Sequence, residues 1–120
     1  MAVVTAPQAY RETVRELSDR LVEAQRPIRI LDAIHWDASV QEAFFAAGAR
    51  ELPKVGQAYY EGRPLSFDPS DKRAEFQELH QEIQRRLGQF SPVGAIMRRM
   101  CREYELVVRM LEVRGKAEFS

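Results

Sequence analysis

Two histidines, one cysteine and a short arginine cluster are the residues whose types could carry chemistry in this chain. His35 follows Asp32 by three positions and precedes Asp37 by two, so on a helical turn Asp32 and His35 would share a face. His80 stands between Glu78 and Glu82, but the position four residues on is the neutral Gln84. A zinc site needs three or four converging ligands, and neither histidine begins such a set. Each reads as an ordinary surface or hydrogen-bonded histidine. Cys101 lies among the apolar positions Met100 and Tyr104, where a lone thiol serves as a small buried hydrophobe in a reducing compartment. Arg98, Arg99 and Arg102 could bind an anionic partner, yet with Glu103 four residues after Arg99 they also make a normal solvated helix face. The six glycines are scattered, so no phosphate loop is present, and neither a Gly-x-Ser-x-Gly elbow nor a paired-cysteine spacing occurs. Trp36 and the pair Tyr59-Tyr60 lack a basic groove beside them and read as packing residues. From these residues no catalytic, cofactor-binding or metal-ligating position is assigned.

Whatever their role, these side chains must be held by a small soluble domain. The chain has 120 residues, 45% apolar and 30% charged, a composition that folds rather than stays disordered. Lys plus Arg and Asp plus Glu both number 18. Zero net charge argues against a nucleic-acid partner, which requires surplus cations to displace phosphate counterions. No apolar run approaches the ~20 residues that span a bilayer. The N-terminal residues lack the basic and apolar regions of a signal peptide, so a cytoplasmic location is expected.

The periodicity predicts an all-α chain, one domain over 1–120, with about four main helices ending in a helical hairpin. Thr5, Pro7 and Gln8 supply a start signal, and Tyr10, Val14, Leu17, Leu21 and Ala24 follow as one apolar stripe. Pro27 ends this helix and biases Arg26 away from helical geometry. Residues 28–36 alternate like a strand at Ile28 and Ile30 but also fit helical turns. No clear partner strand is visible, so a short helix is expected there. Asp37 or Ser39 caps the next helix, Ser39 and Glu42 spacing as a capping box. Its buried side is Val40, Ala43, Phe44 and Ala47, widened by Phe45, and Gly48 is its stop. Residues 49–66 read as loop, with a single turn near Tyr59 and Tyr60. Asp68-Pro69 opens a third helix with the stripe Phe76, Leu79, Ile83 and Leu87, closed by Gly88. Ser91-Pro92 opens the last, expected to end at Gly115. The short connection makes these two an antiparallel pair.

That last helix has more apolar surface than its companions can cover. Val93, Ile96, Met97, Met100, Tyr104, Val107, Val108 and Leu111 form one wide side. Leu106 and Met110 extend the line begun by Arg99 and Glu103, so the C-terminal half is apolar almost all round. Phe119, just beyond Gly115, is a further apolar residue in want of a partner. Two readings account for this surface equally well: burial against a further part of a longer protein, or burial against a second copy of the chain.

Two sets of segments resemble one family. The first is Arg26-Pro27-Ile28-Arg29-Ile30-Leu31-Asp32-Ala33-Ile34 with Trp36-Asp37, Glu42-Ala43-Phe44-Phe45 and Arg50-Glu51-Leu52-Pro53. The second is Leu87-Gly88-Gln89-Phe90, Pro92, Gly94, the run Ile96 to Tyr104, and Val107-Val108-Arg109-Met110-Leu111. Together they resemble the N-terminal region of bacterial proteins named for a Gln-Glu-Gly-Leu-Ala motif and described as flavohaemoglobin-expression modulators. That family is similar to the zinc-dependent carboxypeptidases that remove the C-terminal tyrosine of tubulin. The resemblance, running from about Ala9 onward, implies a metallopeptidase with zinc as cofactor and a peptide as substrate. It implies that this chain is a non-catalytic N-terminal helical portion packing against a catalytic part. The family's His-Glu-x-x-x-His motif is absent: His35 is followed by Trp36 and His80 by Gln81. Gln41-Glu42, Gln77-Glu78 and Gln81-Glu82 never continue into Gly-Leu-Ala, so no site residue of the family carries over. The alternative is a free-standing helical interaction module.

Overall fold

The structure is a computed structural model that describes residues 7–31, 36–58, 60, 62 and 64–119, with the backbone alone for Leu31 and residues 114–119. The described residues form four helices: α1 Gln8–Gln25, α2 Ala38–Ala47, α3 Pro69–Leu87 and α4 Pro92–Phe119. Two short strands, β1 Ile30–Leu31 and β2 Gln57–Ala58, lie between them. The class is all-α with a C-terminal helical hairpin, as the periodicity predicts.

Local chemistry accounts for most boundaries. The Asp68 carboxylate accepts from the Ser70 and Asp71 amides at 2.8 and 3.4 Å, filling donors that the first turn of α3 leaves unpaired. Pro69 follows at the first helical position, where its missing N–H is not needed. Ser91 repeats the device, its Oγ accepting from the Gly94 amide at 3.0 Å. Asp37, rather than Ser39, caps α2, accepting from the Ser39 amide at 2.9 Å. The expected capping box from Ser39 to Glu42 therefore does not form, because Ser39 already lies inside the helix. Gly48 ends α2 with φ 121°, and a Cβ there would collide with the Arg11 carbonyl oxygen of α1.

Several expectations need correction. Residues Ile30–Leu31 are a strand and not part of a short helix: they pair antiparallel with β2, Ile30 opposite Ala58 and Leu31 opposite Gln57. Gln57 and Ala58 carry no strand signal, so the partner was invisible in the sequence. Asp32 to His35 lie outside the described residues, as does Tyr59 and the expected Thr5 cap. The α1 helix starts at Gln8, with Pro7 as a cap residue that makes no side-chain bond. Arg26 keeps helical dihedrals (φ −50°, ψ −41°) despite preceding proline, held by bonds from its N–H to the Val22 and Glu23 carbonyls. Ala43 is exposed, leaving Phe44 and Ala47 as the fully buried side of α2. Gly115 does not end α4, which continues to Phe119. A lone glycine weakens a helix by about 1 kcal/mol, and with no following proline that is not a stop.

Helix direction follows from the contacts. Between α3 and α4, Ser70 meets Glu112 and Gln77 meets Glu105, one number rising as the other falls, so the two run antiparallel. Between α1 and α4, Tyr10 meets Ser91, Ser18 meets Met97 and Gln25 meets Tyr104, so these run parallel. The most extensive helix–helix contact is α3 with α4, and α1 packs against both. Val14, Leu17 and Leu21 of α1, Phe44 of α2, Phe76, Leu79 and Ile83 of α3, and Met97, Cys101, Tyr104 and Val108 of α4 form one buried cluster. Trp36 packs edge-on against Phe44 at 5.0 Å between ring centres and donates to the Pro53 carbonyl at 2.9 Å, the packing role expected for it.

Two substitutions separate capping from backbone geometry. Asp68→Ala should lower unfolding free energy by about 1 kcal/mol through loss of the α3 cap. Gly48→Ala should cost more, because it combines a left-handed φ with a clash against α1. Urea denaturation of both variants checks the order.

Candidate functional site

The hairpin register decides which polar side chains meet. The alignment that pairs Ser70 with Glu112 and Gln77 with Glu105 also sets His80 opposite Arg102 and Gln84 opposite Arg98. Those four residues, with Gln89 of the connecting turn, Ala95 and Arg99, line an open groove of about 370 Å³ between α3 and α4. The guanidinium of Arg98 is steadied by the Gly88 carbonyl at 3.3 Å, and that of Arg99 lies 3.3 Å from Glu103. No carboxylate is among the lining residues. Partial burial lowers the His80 pKa, and the charges of Arg102 and Arg98 lower it further against a smaller opposing effect of Glu105. The groove therefore holds unbalanced positive charge on a chain with none overall. The arginines share one stretch of helix in the sequence, whereas their meeting with His80, Gln84 and Gln89 is set by the hairpin. The four-residue connection between Leu87 and Pro92 could have supplied that register.

A second feature lies farther along α4. Leu106 and Met110 are each 58% exposed and Val113 is 68% exposed, and their spacing of four and three puts them in one stripe. The side facing the other helices is sealed, with Val93, Met97, Met100, Cys101, Tyr104, Val108 and Leu111 all buried. The uncovered apolar surface expected from the sequence is thus present at Leu106 and Met110. The side chain of Phe119 lies outside what the structure describes.

Between these features sits a buried polar node. The Gln25 amide reaches from the end of α1 to the backbone of Lys54, accepting from its N–H at 2.6 Å and donating to its carbonyl, and it also donates to the Tyr104 hydroxyl. The Tyr104 hydroxyl in turn donates to the Lys54 carbonyl. One amide thereby joins α1, the 49–58 loop and α4. Cys101, one turn before Tyr104, is fully buried, and burial pushes its thiol up to about 12 from an ordinary 9.0. It packs within the buried core cluster. Burial likewise raises the Tyr104 phenol.

A family model for microtubule-associated tyrosine carboxypeptidases matches residues 42–120 of the chain. The chain belongs to the microtubule-associated tyrosine carboxypeptidase family. No curated protein and no solved structure matches it. The span shared with the microtubule-associated tyrosine carboxypeptidases takes in the second half of α2 and the whole of α3 and α4, so it contains both the arginine groove and the exposed stripe. The resembling words from Arg26 to Asp37 lie before it.

The zinc implied by the carboxypeptidase resemblance does not fit the described side chains. Among the described residues no three of His, Cys, Asp and Glu come together as ligands. His80 faces Arg98 and Arg102, whose charges repel a cation, and Cys101 is held as a thiol where a metal needs thiolate. His35 lies outside the described residues.

Two outcomes test the buried node and thiol. Tyr104→Phe should cost about 1 kcal/mol, and Gln25→Ala about 1–3 kcal/mol because it strands the Lys54 N–H; chemical denaturation measures both. For the thiol, the folded pKa lies above the unfolded one, so the unfolded chain loses its proton first as pH rises. Stability should therefore fall as pH climbs from 9.0 towards about 12, and this decline should be shallower in Cys101→Ala. Thermal melts across that range give the slopes.

Proposed function

We propose that this chain is a non-catalytic helical portion of a zinc-dependent carboxypeptidase-like protein, and that it packs against a catalytic part through the exposed stripe of α4. The observation that carries the reading is Leu106, Met110 and Val113 standing in solvent on a helix whose other side is fully buried. Apolar side chains of that size, aligned over two turns, gain about 1.5–3 kcal/mol each when buried. Family membership supports the carboxypeptidase class, and in this reading the zinc chemistry belongs to residues outside those described. In this reading the chain itself positions and shapes, while peptide binding and hydrolysis belong to the catalytic part, in the cytoplasm. Flavohaemoglobin modulation enters only through the resemblance of the segments quoted above. No helix among the described residues is long and apolar enough to cross a membrane.

A free-standing dimeric module is the competing reading. A standard interface buries about 800 Å² per partner, more than three side chains on one face offer. The stripe therefore suits one edge of a larger contact better than a whole dimer interface.

Two measurements test the proposal. Elemental analysis of the purified 120-residue chain should find no stoichiometric zinc, and it should release no tyrosine from a peptide with a C-terminal tyrosine. One firmly held zinc per chain would falsify the reading. In sedimentation, the chain should associate without a fixed stoichiometry, and Leu106→Lys with Met110→Lys should make it monomeric with little change in melting temperature. A discrete dimer that unfolds cooperatively would favour the module instead.

A further inference from the structure

We infer that the groove between α3 and α4 is a binding site for a phosphoryl group, taken up by Arg98, Arg99 and Arg102 with the side chains of His80, Gln84 and Gln89. The inference is independent of the peptidase reading, since it concerns a different stretch of α4, nearer the connection to α3.

The donor set is what argues for an oxyanion. Three guanidiniums at positions 98, 99 and 102 and two amides surround the space, and every lining side chain except Ala95 offers N–H groups or can gain one by protonation. Guanidinium forks match tetrahedral and planar oxyanions alike. Two features select a phosphoryl group over an acidic peptide. The groove is short, bounded by the α3–α4 turn at Gln89 and spanning only residues 80–84 of α3, so it holds a compact head group better than an extended strand. It also lacks any apolar side chain larger than alanine, so nothing would anchor the side chains between a peptide's acids.

Preorganisation strengthens the case. Arg98 is already oriented by the Gly88 carbonyl, and Arg102 lines the groove beside it. Arg99 would exchange a long contact with Glu103, 82% and 54% exposed, for a charge-assisted bond. His80 faces Arg102, Arg98 and Glu105 of α4, and its pKa is held low by burial and the two arginines. A bound dianion would offset those charges and draw a proton onto the ring, making uptake of phosphate and of a proton mutually favourable.

The test is an NMR titration of the full 120-residue chain with inorganic phosphate, ionic strength held constant with sodium chloride. Expected are saturable shifts confined to the groove residues, with the His80 titration midpoint moving upward as phosphate saturates. Arg102→Gln should weaken binding by about tenfold or more, whereas Arg109→Gln, on the same helix outside the groove, should leave it within about twofold. Unsaturable shifts, equal losses in both variants, or an unmoved His80 midpoint would overturn the assignment. So would tighter binding of a short polyglutamate peptide than of phosphate. Two further arms name the source: a soluble inositol phosphate, and vesicles carrying the same head group on phosphatidylinositol. Arg102-dependent binding that is stronger to the soluble ester assigns a small metabolite, and stronger to the vesicle a lipid head group. Binding in neither arm counts against the site.

Discussion

The structure depends on covering one side of α4. Val93, Met97, Met100, Cys101, Tyr104, Val108 and Leu111 run along nineteen positions of this helix and are all buried. Only helices laid lengthwise against it can achieve that, so α3 runs antiparallel to it and α1 parallel. Each such side chain contributes about 1.5–3 kcal/mol on burial, far more than any surface ion pair on this chain. Elsewhere the chain makes local adjustments to that requirement. The Gln25 amide ties the 49–58 loop to α1 and α4, Trp36 seats the entry to α2 on Phe44 and Pro53, and Gly48 admits α2 close to the α1 backbone.

The same constraint separates the two candidate surfaces. Once the apolar side of α4 is fixed inward, the remaining circumference is divided by the hairpin register. Towards the connecting turn, positions 98, 99 and 102 emerge beside His80 and Gln84 of α3, giving a cationic groove. Farther along, Leu106, Met110 and Val113 emerge exposed, with no described element over them. A helix apolar on most of its circumference is normally interior, and α4 is interior on one side only.

Family membership and site chemistry bear on different questions. The matched span identifies the fold's relatives and the class of activity to which they are assigned. The described side chains offer no metal-binding set, and the one thiol is buried and protonated. The proposed role in shaping and docking draws instead on the packing surfaces of α4.

Much of this was legible in order along the chain. The stripes of α1 and α3, the Asp68-Pro69 and Ser91-Pro92 starts, the Gly48 and Gly88 stops and the surplus apolar line at Leu106 and Met110 could all be read from spacing, because helix periodicity and capping act within a few residues. The strand pair Ile30–Leu31 with Gln57–Ala58 could not, since strand pairing is decided by a distant partner, Ala58 for Ile30 and Gln57 for Leu31, that has no strand character of its own. Nor could the choice of Asp37 over Ser39 as cap, or the passage of α4 through Gly115, where near-equal local alternatives were settled by the surroundings. The meeting of His80 with Arg98 and Arg102, and of Gln25 with Lys54 and Tyr104, belongs to tertiary structure alone: it exists only once the helices are aligned, and burial then sets the proton affinities of the groups brought together.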